Sequence, residues 1–175
     1  MEMVRRQIAA IKKKHPGFKV VFHVIHTLYA TNTPDRYPDA KVIRANGQHA
    51  SMGGGAYFSQ QRREEGWQWY YYYPTPDNSF HDAMMTSIDV MMDELGAYGA
   101  FMDGFNLAYL GRWTFDGRWD GHSAEIDLES KTITRKLGSV LLLSQSSLIE
   151  FARKIKDKGG LVIANGAIIT PSIAK

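Results

Sequence analysis

The sequence predicts an α/β fold in which strands and helices alternate and the strands form a mostly parallel β-sheet. Short apolar or aromatic runs typical of strands lie at 18–29, 67–73, 98–102 and 161–165. Segments with helical spacing of apolar residues lie between several of these runs. Because strands that alternate with helices are joined by right-handed crossovers, we expect parallel neighbours built from βα units.

The first third of the chain combines a helix, a buried strand and a long connection. Residues 3–14 have an amphipathic helical pattern that ends at His15-Pro16-Gly17. The continuous run at 18–29 predicts one strand buried on both faces, as in a parallel sheet. The stretch 30–66 has the composition of a loop, and a connection of this length is usually functional or flexible.

The rest of the chain repeats the alternation of strand and helix. An aromatic run at 67–73 predicts the second strand, and Asn78 or Ser79 can cap the helix that follows. The third strand, at 98–102, leads into a second long connection that reaches residue 138. The last helix is expected to begin near Ser144 and to lead into the fourth strand.

Four strands are half of an eight-stranded barrel. We therefore expect residues 1–175 to form a single partial or complete TIM-like (β/α)8 barrel, or a fragment of a larger catalytic domain; a small doubly wound sheet is the alternative. The segments after the four strands should then meet at one edge, where α/β proteins bind ligands. These segments are 28–32, 73–77, 103–106 and 165–170.

Composition narrows the choice of function classes. Hydrophobic residues make up 44% and charged residues 22% of the chain, which is ordinary for a globular domain. The net charge of +3 comes largely from predicted helical faces, so neither a nucleic-acid partner nor a membrane partner is expected. The chain has no cysteine, no apolar run of roughly 18 residues and no signal peptide pattern, and its location stays open.

The stretch LGAYGAFMDGF, which contains Asp103, resembles the strand-end pattern of many glycoside hydrolase barrels. The wider region 67–166 is similar to uncharacterised bacterial proteins with glycosidase-like barrels. The resemblance implies that Asp103 serves as nucleophile, acid or substrate anchor, and that no cofactor is needed. Related sequences often have Asp-Glu at this point, whereas this chain has Asp103-Gly104, so a second carboxylate must come from elsewhere.

Asp103 also stands out on physical grounds. A carboxylate at the mouth of a buried strand is partly desolvated, which raises its pKa unless donors surround it. Such a group suits a general acid or a positioned nucleophile. The structural alternative is an Asp that caps the following turn.

The loop after the third strand carries the other catalytic candidates. Asp120 or Glu125 is predicted to supply the missing second carboxylate. Trp113, Trp119 and His122 fit a sugar-binding platform, because aromatic faces stack on pyranose rings. The two Asp-Gly pairs of this loop also fit a plain structural hairpin.

Further substrate contacts are predicted near the strand ends, at His26, Tyr73, Asp77, Asn106 and Asn165. On an ideal strand His23 and His26 point to opposite faces, so they cannot hold one metal ion together. We expect His23 to be a core residue, and we expect the other aromatic residues of 67–73 to pack in the core.

These observations favour a glycoside hydrolase-like protein that acts on or binds carbohydrate through strand-end carboxylates. The alternative is a non-catalytic carbohydrate-binding or scaffold protein, completed by a second copy or by a chain that supplies the missing half of the barrel. A weaker hypothesis is a metal-dependent polysaccharide deacetylase. The segment 114–117 resembles that family's T-F-D-D-G motif but lacks its second Asp, and no H-x-x-x-H follows.

Overall fold

The computed structural model describes residues 1–53, 57–105, 113–166, 170 and 172. The helices lie at Glu2–Lys14 (α1), Gln60–Glu64 (α2), Ser79–Asp89 (α3) and Val140–Asp157 (α4). A 3₁₀ turn covers Pro38–Ala40, and a π-helical turn, Val90–Glu94, extends α3. In the described part of the chain, no helix is long and apolar enough to cross a membrane.

The strands are short and belong to four sheets. They lie at Val21–Val24 (β1), Leu28–Thr31 (β2), Ser51–Gly53 (β3), Gln68–Tyr71 (β4), Gly99–Asp103 (β5), Trp113–Thr114 (β6), Ala124–Ile126 (β7), Ile133–Lys136 (β8), Gly138–Ser139 (β9) and Leu161–Asn165 (β10). A parallel sheet has the order β1-β5-β10, and an antiparallel sheet has the order β2-β4-β3. The pairs β6-β9 and β7-β8 form two small antiparallel sheets.

The predicted partial or complete TIM-like barrel is wrong. Parallel pairing joins three of the described strands, and the aromatic strand β4 pairs antiparallel with both of its neighbours. The reason lies in the connections, because a parallel pair needs a long crossover that usually contains a helix. The 11-residue α3 and the 18-residue α4 lead into the parallel strands β5 and β10, whereas β2, β3 and β4 follow one another without a long helix.

The apolar run 18–29 is also not one strand. It contains β1 and the start of β2, and a turn at residues 25–27 sends the two strands into different sheets. An apolar run is equally compatible with a straight buried strand and with a buried corner. The hydrophobic pattern therefore could not reveal this break.

Several elements match the sequence prediction. Helix α1, helix α3 and the strands β5 and β10 lie where the apolar pattern places them. The side chain of Asn78 caps α3 by accepting a hydrogen bond from the backbone N–H of His81 at 3.0 Å. Helix α4 begins at Val140, four residues before the expected Ser144.

The two faces of the parallel sheet differ in burial. Side chains alternate along β5, so Ala100 and Met102 are fully buried in the core cluster that also contains residues of α3 and α4. On the opposite face Asp103 is only partly covered, and Leu161 and Ile163 of β10 are 41% and 39% exposed. Asp103 thus lies on the open face of this sheet.

The antiparallel sheet contributes an aromatic core. Tyr72 stacks on Phe80 with ring centroids 5.1 Å apart, and both belong to the main core cluster. Tyr71 and Tyr73 alternate with Tyr72 and pack in a second cluster. Trp69 shares the face of Tyr71 and Tyr73 because side chains alternate along the strand.

Candidate functional site

Asp103 lies at the carboxyl end of the central parallel strand. In the register of the sheet Asn165 is its direct neighbour on β10, and His23 on β1 is paired with Phe101. Because side chains two residues apart on a strand share a face, these neighbours bring both polar side chains to the Asp103 carboxylate. Of the four segments predicted to meet at one edge, those that begin at Asp103 and Asn165 do so, whereas 28–32 and 73–77 belong to or follow strands of the antiparallel sheet.

Both carboxylate oxygens of Asp103 accept a hydrogen bond from a neighbouring strand. His23 Nε2 lies 3.1 Å from Oδ2, and Asn165 Nδ2 donates to Oδ1 at 2.7 Å. The bond with His23, and after it the bond from Asn165, lowers the pKa of Asp103 below its usual range. The group is ionised at neutral pH, so it suits a hydrogen-bond acceptor, a nucleophile or a base better than a proton donor.

Asp103 lines a cavity of about 490 Å³. The other lining residues are apolar or aromatic: Ile25, Leu28, Met52, Tyr57, Trp69 and Tyr71. The volume lies within the range of roughly 300–1,000 Å³ that is usual for small-molecule sites. Of these residues, Tyr71 is buried, whereas Tyr57 is 79% exposed.

The antiparallel sheet holds the aromatic side of the cavity. Trp69 lies on β4 between Ala30 of β2 and Gly53 of β3, and its ring stacks on Phe58 at a centroid distance of 5.4 Å. The hydroxyl of Tyr71 donates to the sulfur of Met52 at 3.7 Å. Fixed ring faces beside an ionised carboxylate can bind a ligand that has both an apolar face and hydrogen-bond donors.

Asp120, a predicted second carboxylate, holds its own loop together. Its Oδ1 accepts the backbone N–H groups of His122 at 2.8 Å and Ser123 at 2.7 Å, and its Oδ2 accepts that of Ser139 at 2.5 Å. Burial alone would raise the pKa of Asp120, but the hydrogen bonds from Ser123, His122 and Ser139 outweigh it and lower the pKa. Asp120 thus fastens its loop to the backbone at residues 122, 123 and 139.

Glu125, the other predicted second carboxylate, lies on the β7-β8 hairpin. It forms an ion pair with Arg135 on the paired strand, with Nε and Oε2 3.1 Å apart. Among the described residues that line the cavity, Asp103 is the sole carboxylate, so neither Asp120 nor Glu125 joins it there. The catalytic roles of all three acids stay predictions.

The predicted sugar platform forms a surface of its own. Trp113 and Trp119 are 45% and 43% exposed, and His122 is exposed nearby in sequence. The ring of Trp119 donates from Nε1 to the carbonyl of Ser123 at 2.9 Å, and Lys136 Nζ lies 4.1 Å from its ring centroid. None of these three residues is among the described residues that line the Asp103 cavity.

Tyr73 and Asp77 lie at the exit of β4, in a polar cluster. Tyr73 is fully buried and donates its hydroxyl proton to Asp116; burial, and then this bond, raises the pKa of Tyr73. Asp77 is exposed and pairs with Arg118 at 3.3 Å. The cluster ties the end of β4 to the 116–118 turn, and Tyr73 presents no surface to a ligand.

His26 and Asn106 are the remaining residues that are predicted to contact substrate. His26 is 1% exposed at the corner after β1, and both of its ring nitrogens lack a hydrogen-bond partner among the described residues. Burial lowers the pKa of His26 to about 4, so the ring is neutral at physiological pH. Asn106 lies outside the described residues.

The structure adds two residues that the sequence reasoning placed in the core. The side chain of His23 is 57% exposed, stacks on Phe101 at 5.7 Å and contacts Asp103, so its predicted core position is wrong. Trp69 lines the cavity. A strand register that pairs position 23 with position 101, two residues before Asp103, would have identified His23, but a single sequence contains no such register.

Among the described residues, no group of three or more His, Asp or Glu side chains is arranged to hold a metal ion. Asp116, in the segment that resembles a deacetylase motif, accepts hydrogen bonds from the hydroxyl of Tyr73 and the backbone N–H of Arg118. No feature of the described chain supports the deacetylase hypothesis.

A comparison of the chain with protein-family models, curated proteins and solved structures finds no match. The resemblance to glycoside hydrolases therefore stays a prediction.

Proposed function

We propose that the chain binds carbohydrate in the Asp103 cavity. The observation that carries this proposal is an ionised carboxylate, fixed by His23 and Asn165, in the wall of a cavity that is also lined by Tyr57, Trp69 and Tyr71. A sugar ring has an apolar C–H face and a rim of hydroxyl donors. It therefore matches both kinds of surface in this cavity.

Each part of the site has a defined task. Trp69, held against Phe58, offers a rigid aromatic face for the C–H side of a pyranose ring. Asp103 accepts hydrogen bonds from ring hydroxyls, and such charge-assisted bonds are the stronger kind. Because His23 and Asn165 already orient the carboxylate, little side-chain entropy is lost when a ligand binds.

Hydrolysis of a glycosidic bond is a second candidate. The specific observation in its favour is that His23 and Asn165 hold Asp103 in the ionised form that a nucleophile or base requires. Most glycosidases, however, use two carboxyl groups on either side of the scissile bond. Asp120 and Glu125 are engaged by backbone amides and by Arg135, so binding is the function that the geometry supports better.

Titration calorimetry with a panel of neutral glucose, mannose and xylose oligosaccharides tests the binding proposal. We expect at least one oligosaccharide to bind, and Trp69→Ala to weaken that binding by about tenfold or more through loss of the stacking face. The matched control is Trp119→Ala, which removes an exposed ring outside the cavity and should leave the affinity unchanged. Binding that depends on Trp119 but not on Trp69 would contradict the proposal.

The release of reducing ends from the same oligosaccharides tests hydrolysis. If the chain is catalytic, Asp103→Asn should abolish turnover while the circular dichroism spectrum stays unchanged. Full turnover in Asp103→Asn would exclude Asp103 as the catalytic carboxylate.

A further inference from the structure

Asp103 differs from three other acids with a lowered pKa in the residue that it pairs with. Asp35, Asp77 and Asp89 each pair with a lysine or arginine, which neutralises them. Asp103 pairs with His23, and in the described part of the chain no lysine or arginine lies within ion-pair distance of it. The cavity thus contains a negative charge that no strong base of the described chain compensates.

The tryptophan rings also differ in whether a cation of the chain lies over them. Trp67 and Trp119 already have Arg62 and Lys136 over their rings, at 4.9 Å and 4.1 Å from the centroids. Trp69 has no such partner among the described cations, although it lines the cavity that contains Asp103. The cavity is thus lined both by an indole ring and by a carboxylate that has no lysine or arginine partner among the described residues, and this combination attracts an organic cation.

From this complementarity we infer that the site prefers a sugar with a free ammonium group, such as glucosamine, over a neutral or N-acetylated sugar. This inference rests on the proposed carbohydrate binding and names the class of ligand. The ammonium group donates to Asp103, while the C–H face of the pyranose ring packs on Trp69. Acetylation removes the positive charge and adds an amide, for which the apolar side chains of the lining offer no hydrogen-bond partner.

The experiment compares three trisaccharides at neutral pH and low salt, made of glucosamine, of N-acetylglucosamine and of glucose. We expect the glucosamine trisaccharide to bind about tenfold more tightly than the other two. The difference in affinity between the glucosamine trisaccharide and the other two should decrease as sodium chloride is added, because salt screens the interaction with a partly exposed charge. Ethanolamine, which has the ammonium group without the ring, should bind more weakly than the glucosamine trisaccharide.

The substitution Asp103→Asn should remove the preference for glucosamine and bring the three affinities within a few-fold of one another. The matched control is Asp127→Asn, which removes the same charge from an exposed hairpin turn and keeps the Oδ1 acceptor that bonds Glu129 and Ser130. This control should retain the full preference.

The outcomes separate the two proposals. If no trisaccharide binds, the proposed carbohydrate binding itself fails. If the neutral trisaccharides bind as tightly as the glucosamine trisaccharide, or if Asp103→Asn keeps the preference, carbohydrate binding stands and the inference about the ammonium group is wrong.

Discussion

Asp103 and Asp120 are both carboxylates with a lowered pKa, yet they lie in regions of opposite character. Asp103 is held by two side chains, His23 and Asn165, at the open end of the parallel sheet. Asp120 is held by three backbone N–H groups inside the loop that precedes helix α4. The comparison shows that a low pKa alone does not identify a functional acid, because the same shift arises when a carboxylate only fastens its own loop.

The largest expected effect on folding concerns the region of Asp120. Replacing Asp120 with Ala leaves three backbone donors without their acceptor, so the free energy of unfolding should fall by about 3 kcal/mol. Urea denaturation measures this change. Asp120→Asn is the control, because it keeps one oxygen acceptor and should be less destabilising. If Asp120→Ala is as stable as the wild type, Asp120 does not stabilise its loop, and the distinction between Asp120 and Asp103 fails.

The next effect concerns the buried corner between β1 and β2, where burial lowers the pKa of His26 to about 4. An unfolded histidine has a pKa of about 6.5, so between these two values the unfolded chain binds a proton that the folded chain does not. Stability therefore falls as the pH drops through this window, by about 2 kcal/mol between about pH 7 and pH 5.

His26→Leu should abolish that part of the pH dependence, whatever its effect on stability at pH 7. Urea denaturation of both proteins at the two pH values gives the comparison. If His26→Leu loses as much stability between pH 7 and pH 5 as the wild type does, another group controls the acid sensitivity of the fold.

A smaller effect is expected at the polar cluster beyond β4. Tyr73→Phe keeps the buried ring and removes the hydroxyl that donates to Asp116, so the free energy of unfolding should decrease by about 1 kcal/mol. Thermal and urea denaturation measure it. Ligand affinity should not change, because Tyr73 is buried away from the cavity lining; a change in affinity would extend the site to this cluster.

The smallest effect on folding is expected for Asp103→Asn. The side chain of Asp103 is 24% exposed, and an asparagine still offers an oxygen to Asn165 or His23. The urea midpoint should therefore stay within the error of the wild type, while the charge available to a ligand is lost. A strong loss of stability would make Asp103 a structural residue of the same kind as Asp120.

Local pattern explains what could be predicted from the sequence. Strands β5 and β10 follow from their apolar runs, and the shared edge of parallel strands brings Asp103 and Asn165 together. The antiparallel pairing of β4 and the corner at 25–27 depend on which strands meet across long stretches of chain, which a hydrophobic pattern does not encode. The contact of His23 with Asp103 depends on the parallel pairing of β1 with β5, and the position of Trp69 in the cavity depends on the pairing of β4.

The chain contains four tryptophans, and the central claim concerns one of them. With ¹⁵N-labelled indole groups, each ring gives its own Nε1–H signal in a solution NMR spectrum. On titration with the glucosamine trisaccharide, the signal of Trp69 should shift progressively, and the signals of Trp113 and Trp119 should stay in place. A shift confined to Trp113 or Trp119, with Trp69 unmoved, would locate the binding surface on the loop and contradict the assignment of the Asp103 cavity.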